Sequence, residues 1–454
     1  MGGISGNMSM KFRLAIMVVA SIVCLGLARP GSAQRFGTSS APRPSGRVSF
    51  FTNVSQTDVD GVASSGFGEF TTSITYRLPE LDTDGLDYGL DFRHSGYIST
   101  AIPRRVSIYE GFVGGRMAGG AVRVRVGHMW LNDLGSLGST AGAMVEVRQP
   151  STKTSGIGRL RVGGFYGLEP NVLDTGYAAD VKKFGGYLAF DGEHARRNVV
   201  GFVTIRDGSL TERSVLTTTN FVPVAQKFFL YQAAEYDLQA PAGQGQQGLS
   251  YFYTNARVSA TSRVDVQGIY SRGRSIDTRS LTQDVLNGRP LGQSAIAGLL
   301  YESVGGRATV EVVRRVRVYA GYSRDKTNRE DAATGRTLIG GYAGNILNSG
   351  FDVSASESLN EGPSRRYHSR YVSVGRQVGR SLYVSGDYST SLSVIHFSRS
   401  DGILIEQRPQ TTRVSGTGVL NLRRAISVLM TLDRTVDLQA RELRLLVGMT
   451  YRFP

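Results

Sequence analysis

The sequence has few cysteines, few lysines and no long apolar run after its N-terminus, and each shortage excludes a class of protein. Cys24 is the only cysteine in 454 residues, so no disulfide framework holds the fold. After residue 33 no stretch approaches 18 consecutive apolar residues, which excludes membrane-spanning helices there. The HExxH, paired CxxC and P-loop motifs are also missing, so we expect neither a cofactor nor a metal.

The first 33 residues have the pattern of an export signal. Lys11 and Arg13 precede the apolar run Leu14–Ala28, and Pro30–Ala33 supplies the small residues of a cleavage site. Cleavage would remove Cys24 and leave a chain without any thiol nucleophile. An uncleaved N-terminal anchor is the alternative. The predicted organisation is a signal peptide at 1–33, a flexible lead-in at 34–45 and one domain at 46–454.

Arginine supplies most of the positive charge. Lys and Arg number 52, of which six are lysine, against 37 Asp and Glu, for a net charge of +15. Loss of Lys11, Arg13 and Arg29 with the signal would lower this value to +12. A basic exported protein is expected to meet lipid headgroups, lipopolysaccharide or anionic solutes, and no nucleic acid. Arginine bias from a GC-rich genome is the alternative.

Apolar and polar residues alternate with a period of two along almost the whole chain. In Leu443–Phe453 every second residue is apolar or aromatic, and in Val122–Trp130 three valines alternate with Arg123, Arg125 and Gly127. Successive side chains of a strand point to opposite faces, so each such segment predicts a strand with one apolar and one polar face. Helical periodicity is almost absent.

One long segment departs from this alternation. Ser275–Glu302 is the longest non-alternating stretch, and Ser280–Leu286 and Ser294–Leu300 within it are expected to form helical turns. Such a loop can fold inward and narrow a pore, or cap the molecule from outside. A plain surface excursion is the third alternative.

The connections between strands fall into two groups. Tight, often basic turns are expected at Arg196-Arg197, Ala260–Arg263, Arg314-Arg315, Val378–Arg380 and Arg423-Arg424. Longer polar loops are expected at Gln56–Ser65, Glu169–Ala179, Pro241–Gln247, Asp325–Arg336 and Leu359–Ser364. About 22 segments result, and both termini fall at the rim of the short turns. This asymmetry is typical of a closed up-and-down barrel, in which strand number is even.

An all-β chain of this length without a composition break does not suit a soluble sandwich, because one core rarely organises some 420 residues. A propeller would show a blade repeat, and none is visible. In lipid, the backbone N–H and C=O groups at the edges of a sheet can all be hydrogen-bonded only if the sheet closes into a barrel. The predicted fold is therefore a single-domain transmembrane antiparallel β-barrel with an even strand number between 16 and 22.

The chain resembles Gram-negative outer-membrane β-barrels of the porin-like type, over all of its length after the signal. The last strand, Arg441–Pro454, is similar to the family's assembly signal, with alternating hydrophobics and a terminal aromatic residue, here Phe453 before Pro454. Tyr109–Trp130 is similar to a porin strand–glycine turn–strand unit. The resemblance implies an outer-membrane location and assembly by the barrel-insertion machinery.

Two sets of residues follow from the alternation. The polar faces would carry charges into a water-filled lumen, where an excess of arginine favours anions. The predicted pore-lining residues are Arg123, Arg125, Arg159, Arg161, Arg317, Arg444, Arg452, Glu69, Asp87, Asp265, Glu311 and Asp387. Pairing of these charges across neighbouring strands, which would only stiffen the wall, is the alternative. The predicted aromatic girdle comprises Tyr76, Trp130, Tyr166, Tyr322, Tyr451 and Phe453.

Catalysis finds little support in the histidines. His94-Ser95 and His368-Ser369 are similar to the His/Ser pairs of outer-membrane lipid hydrolases, but a triad needs three groups that meet in space. We therefore expect a porin-like channel for small hydrophilic solutes, anions among them, and no enzyme. A structural or secretion-related barrel and a lipid-modifying enzyme that uses His368 or His94 are the alternatives.

Overall fold

The computed structural model describes residues 45–78, 84–98, 102–149, 159–170, 177–192, 196–224, 227–239, 247–275, 278–289, 298–329, 332–362, 365–398 and 404–453. The predicted signal and nearly all of the lead-in lie outside these ranges. None of the described helices combines the length and the hydrophobicity that a membrane span requires.

The described chain is almost entirely strand. The strands are β1 Ser45–Val59, β2 Ser65–Arg77, β3 Gly85–Tyr97, β4 Arg105–Met117, β5 Val122–Trp130, β6 Ser139–Arg148, β7 Arg159–Pro170, β8 Tyr177–Asp191, β9 Arg197–Asp207, β10 Leu210–Val224, β11 Phe228–Gln239, β12 Gly248–Ser259, β13 Val264–Ser275, β14 Leu299–Val313, β15 Val316–Thr327, β16 Thr334–Ala343, β17 Phe351–Glu361, β18 Arg365–Val378, β19 Leu382–Ser398, β20 Leu404–Gln407, β21 Gln410–Arg423, β22 Ile426–Val436 and β23 Ala440–Phe453. Among the described residues, one α-helix, α1 Thr278–Leu286, and two 3₁₀ helices, η1 Asn132–Leu137 and η2 Ile346–Asn348, interrupt them.

The sheet closes on itself. All strands but β20 and β21, which do not pair with each other, pair antiparallel with both sequence neighbours, and β1 also pairs with β23 from Gly46 opposite Phe453 to Val59 opposite Ala440. Strands β20 and β21 pair with successive parts of β19, so they act as one interrupted strand. The result is a closed barrel of 22 strands without a free edge. The prediction of an even-numbered antiparallel barrel is confirmed.

The two rims differ in their turns. The start of β1 and the end of β23 meet at one rim, which we call the terminal rim. The turns predicted at Ala260–Arg263 and Arg314-Arg315 lie there, and Arg315 takes a left-handed conformation with φ 70°. Gly379, with φ 63°, does the same between β18 and β19. A two- or three-residue hairpin needs such a residue to reverse the chain tightly.

Three loops at the opposite rim are shorter than predicted. The ladders continue to Thr57 opposite Ser65, to Asp325 opposite Thr334 and to Glu361 opposite Arg366. The prediction of long loops at 56–65, 325–336 and 359–364 is therefore wrong. Polar residues favoured loops in the sequence, but backbone pairing does not require apolar side chains, so the hairpins extend beyond the apolar band. Most of 169–179 and 241–247 lies outside the described residues.

Register assigns every strand residue to one of two faces. Leu445, Val447 and Val428 share the outer face, as do Val48 and Phe50. The opposite face carries the charged residues. It is the inner face, because residues several strands apart meet there: η1, after β5, packs Leu134 over Gly201 of β9. Apolar side chains exposed on the outer face and polar ones on the inner face match the predicted arrangement.

Glycines of the inner face lie under aromatic rings of neighbouring strands. A Cβ atom at Gly163 would lie 2.3 Å from Cζ of Tyr187, and one at Gly375 would lie 2.0 Å from Oη of Tyr383. The same pairing joins Gly273 to Tyr301, Gly340 to Tyr319 and Gly448 to Phe51. Because glycine has no side chain, each ring packs directly on the backbone of the neighbouring strand. These pairs help to fix the register of adjacent strands.

Candidate pore lumen

One segment folds into the barrel and fills part of its interior. Residues 131–138, between β5 and β6, contain η1 and contact β8, β9 and β10. Leu131, Leu134 and Leu137 are buried. They join Val199 and Val203 of the wall in one apolar cluster. We call residues 131–138 the inward segment. Because the inward segment packs against this part of the wall, the inner face is apolar there as well as the outer face. The sequence predicted an apolar outer face only.

A buried charge network fastens the inward segment to the wall. Arg161 of β7 donates hydrogen bonds to Asp133 at 2.9 Å and to Glu146 at 2.7 Å, and also to Asp191. Tyr187 donates to the same Glu146 oxygen at 2.7 Å. The Arg161 side chain is only 4% exposed. A buried guanidinium is stable only when carboxylates and hydrogen bonds replace its hydration, as they do here.

Two further arginines join this network. Arg197 pairs with Asp133 and lies 3.6 Å from Asp191. Arg148 pairs with Glu146 at 3.3 Å. Each of the three carboxylates therefore has more than one cation or hydrogen-bond donor beside it.

The inward segment is also tied to the wall on its other side. Ser136 Oγ donates to Glu235 Oε1 of β11 at 2.6 Å. Arg213 of β10 pairs with the same Glu235 at 3.0 Å and with Asp237 at 2.8 Å. A cavity of about 540 Å³ lies beside this contact, and Tyr231, Tyr251, Tyr301 and Ser250 are among its lining residues. Hydroxyl and charged groups form part of the lining of this cavity.

The loop between β13 and β14 also reaches this side of the barrel. Helix α1 contacts β10, with Leu281 and Thr282 buried. Gln283 Nε2 donates to Asp207 Oδ2 of β9 at 2.6 Å. The predicted helical turn at Ser280–Leu286 is confirmed. At Ser294–Leu300, residues 291–297 lie outside the described chain and Leu299-Leu300 begin β14, so the predicted helix is wrong at that end.

The residues predicted to line the pore all lie on the inner face by register, but three of the arginines are covered. Arg123 and Arg125 both pair with Asp87, at 2.5 and 2.6 Å, and all three side chains are buried. Arg125 also lies 4.2 Å from the ring centroid of Phe112. Together with Arg161, these arginines have almost no surface to offer a solute. For them the geometry favours the alternative, in which paired charges stiffen the wall.

Other predicted residues form partly exposed pairs. Arg444 pairs with Asp433 at 2.7 Å, and Arg317 pairs with Glu311 at 3.3 Å. The remaining predicted residues have these contacts: Asp265 pairs with Arg257 at 2.9 Å, Asp387 accepts from Tyr371 at 2.7 Å, Glu69 lies 3.9 Å from Arg93, and Arg159 lies opposite Asp191. Their role in lining a pore stays a prediction.

Five exposed arginines of the inner face have no carboxylate partner within 4.0 Å among the described residues: Arg47, Arg307, Arg336, Arg365 and Arg452. Arg365 donates a hydrogen bond to Ser393 at 3.2 Å. Arg47 and Arg452 lie directly opposite each other near the terminal rim, although like charges repel at that spacing. Arg307 of β14 and Arg336 of β16 border a recess of about 310 Å³ with Ser303, Ser323 and three glycines. All five lie on strands away from the inward segment.

The predicted girdle residues all lie on the outer face. Tyr76, Tyr451 and Phe453 cluster near the terminal rim, with ring centroids 5.6 Å apart for Tyr76 and Phe453. Trp130 is the last residue of β5, at the end of that strand away from the terminal rim. Tyr166 and Tyr322 are exposed further along their strands. Their assignment as an interfacial girdle stays a prediction.

The histidine–serine pairs cannot act as a catalytic pair in this fold. His368 lies on the outer face and donates a hydrogen bond to Glu357 at 2.5 Å, whereas Ser369 faces the interior and contacts Ser358. His94 and Ser95 are separated in the same way, with Ser95 bonded to Thr71 inside. Adjacent strand residues always diverge. His194 lies outside the described residues, within which no cluster of potential ligands suits a metal ion.

The inward segment is the functional feature that the sequence analysis missed. Its only sequence signal is the spacing of Leu131, Leu134 and Leu137 at three-residue intervals, followed by Gly138. Three apolar residues are too few to establish a helical period.

Comparison with known proteins supports the fold. No family model and no curated protein matches the chain. A mutant of the ferric enterobactin receptor PfeA from Pseudomonas aeruginosa is similar with a TM-score of 0.54 and 9% identity, covering 91% of this chain and 81% of the receptor. The chain has the fold of an outer-membrane β-barrel.

Two further solved structures are similar to this barrel at lower scores. OccAB4 of Acinetobacter baumannii gives a TM-score of 0.44 at 11% identity, covering 92% of this chain and all of that one. The outer membrane protein opdK of P. aeruginosa gives 0.42 at 9% identity, covering 90% and 99%. At such identities the likeness concerns the fold alone, and the function of this barrel has to be argued from its own residues.

Proposed function

We propose that this barrel is a porin-like channel through which small hydrophilic solutes, anions in preference, diffuse across the outer membrane. The proposal rests on a closed wall whose inner face is polar and whose outer face is apolar. Such a wall separates a wet interior from lipid.

The observation that carries the proposal is the uneven distribution of charge around the interior. On the side of the inward segment, cations and carboxylates are buried against each other. On the other strands, Arg47, Arg307, Arg336 and Arg452 are exposed and unpaired among the described residues. Fixed unpaired cations along a water-filled path lower the energy of anions there and raise that of cations.

The inward segment would set the size limit of this channel. It occupies the interior beside β8–β10 and is held by Asp133 at one end and Ser136 at the other. Solutes would therefore pass along the remaining strands, next to the unpaired arginines. A rigid constriction with a one-sided charge selects by size and by charge together.

Planar bilayer recording tests the proposal. The purified barrel, inserted into a neutral bilayer, should give discrete conductance steps, and liposomes that contain it should swell in small sugars and organic anions. Protein that inserts but gives no steps would contradict the channel function. A structural or secretion-related barrel would then be the better reading.

An export route and two partners belong to this proposal. The export signal at 1–33 would deliver the chain to the periplasm, and the terminal strand with Phe453 would engage the barrel-insertion machinery. Lipopolysaccharide would surround the outer half of the wall. Barrel yield in vivo after removal of the aromatic ring in Phe453→Ala tests the contact with the insertion machinery.

A further inference from the structure

Four basic side chains lie together on the outer face of three consecutive strands. Arg272 and Arg274 belong to β13, whereas Arg324 and Lys326 belong to β15, and β14 runs between them. Register places all four on the face of Tyr322: Arg324 lies opposite Val304, and Glu302 lies opposite both Arg272 and Lys326. We call these four residues the upper basic patch.

The patch lies far from the terminal rim. Arg272 and Arg324 each follow the first residue of their strand by eight positions, a distance of about 26 Å along a strand. With the tilt of 35–45° usual in such barrels, they lie roughly 20 Å above the rim, where an apolar band of about 25 Å ends. The patch therefore lies at the level of lipid headgroups in the outer leaflet.

Apolar side chains cover the wall directly below the patch. Val304 is 51% exposed and Tyr322 57% exposed, and Val266 and Val318 are exposed on neighbouring strands. This surface can contact acyl chains while the cations above it contact a headgroup. The combination of a basic edge and an apolar wall suits an anionic lipid rather than a soluble anion.

Three cations of the patch outnumber the acid that lies between them. Among the described residues, no carboxylate lies within 4.0 Å of the charged nitrogens of Arg324 or Lys326. Glu302, which lies opposite both Arg272 and Lys326, accepts a hydrogen bond from Tyr270 at 2.9 Å. Arg272, Arg324 and Lys326 around this one carboxylate give a formal charge of about +2, with Arg274 left out of the sum.

A second outward cluster shows the contrast. On β17 and β18, Glu357 pairs with Arg370 at 3.2 Å and contacts His368 at 2.5 Å, and Glu361 lies opposite Arg366. There each cation has an acid beside it, so the local charge is close to zero. The excess positive charge is thus a property of the upper basic patch and not of every strand end.

We propose that the upper basic patch binds the phosphorylated headgroup of lipopolysaccharide, with the acyl chains lying along Val304 and Tyr322. The inference rests on the outer-membrane placement of the proposed function and names one lipid partner with its site. Phosphate dianions bridge cations on strands two positions apart and relieve their mutual repulsion.

Binding of purified lipid A to the full barrel tests this site. Bisphosphorylated lipid A is titrated against wild type and against the triple variant Arg272→Gln, Arg324→Gln, Lys326→Gln, with native mass spectrometry as the readout. We expect affinity to fall on the order of 100-fold in the variant, since each cation near an anionic lipid surface contributes about fivefold. Dephosphorylated lipid A should bind wild type no better than the bisphosphorylated form binds the variant.

The matched control removes three exposed cations near the terminal rim: Arg314→Gln, Arg376→Gln and Arg380→Gln. Its affinity should equal that of wild type. Equal binding by the two triple variants, equal binding of the two lipid A forms, or competition by millimolar inorganic phosphate would each overturn the proposal. Wild-type affinity that falls steeply with salt supports it independently of any variant. Conductance in neutral bilayers, which contain no lipid A, is measured separately and should be the same in both variants.

Discussion

At the residue scale, the interior of this barrel separates two kinds of arginine. Arg161 is buried, with carboxylates and hydrogen bonds on every side, and fastens the inward segment. Arg307 and Arg336 are exposed and lack a carboxylate partner among the described residues. The first kind contributes to stability and the second to the field within the lumen, because buried pairs cancel each other and free charges do not.

Replacement of the buried arginine should destabilise the barrel strongly. In Arg161→Gln, the carboxylates of Asp133, Glu146 and Asp191 lose a cation that they share, and loss of one buried partner costs about 3–5 kcal/mol. The free energy of unfolding in urea, followed through the single tryptophan Trp130, measures this loss.

Arg317→Gln is the control for that measurement. Its ion pair with Glu311 is 61% exposed on the arginine side, and such pairs contribute less than about 1 kcal/mol. Equal stability losses in the two variants would show that the Arg161 network does not hold the inward segment.

Substitution of a glycine beneath an aromatic ring should also destabilise the barrel, by less than Arg161→Gln does. In Gly163→Ala the new methyl group would lie 2.3 Å from Cζ of Tyr187, so the ring must move and its hydrogen bond to Glu146 is lost. Overpacking of this kind costs about 1–3 kcal/mol. Gly164→Ala, next in sequence on the outer face, meets its nearest atom only at 3.8 Å, and its urea unfolding curve should match that of wild type.

At the element scale, the strands could be predicted and the inward segment could not. Alternation in Val122–Trp130 and Leu443–Phe453 predicted both the strands and their faces, because one period-two pattern decides both. The inward segment depends on contacts with β8–β11 that lie 40 to 100 residues away, such as Ser136 to Glu235. Local sequence contains no record of such contacts. The burial of Arg123 and Arg125 against Asp87 could not be predicted for the same reason.

Excision of the inward helix should widen the lumen. Replacing Asn132–Leu137 by a short Gly-Ser link removes Leu134, Leu137 and Asp133, so single-channel conductance should rise in planar bilayers. Replacing Ile346–Asn348, the 3₁₀ turn that joins β16 to β17 at the terminal rim, is the control and should leave conductance unchanged. Unchanged conductance in the first variant would mean that the segment does not restrict the pore.

At the scale of the whole molecule, the free arginines should make the barrel prefer anions. Under a KCl gradient the reversal potential should have the sign of chloride selectivity, and Arg307→Gln with Arg336→Gln should bring it closer to zero. Arg272→Gln with Arg324→Gln removes the same charge from the outer face and should leave the reversal potential where it was. A cation-selective wild type would refute the charge argument.

The most direct measurement of the central claim, water inside and lipid outside, is thiol labelling along β14. The described chain contains no cysteine, so single cysteines can be placed in turn from Ser303 to Val310. We predict that a charged, membrane-impermeant reagent labels positions 303, 305, 307 and 309, while a lipid-soluble reagent labels 304, 306, 308 and 310. Labelling by the charged reagent without this alternation, or at the even positions only, would contradict the account.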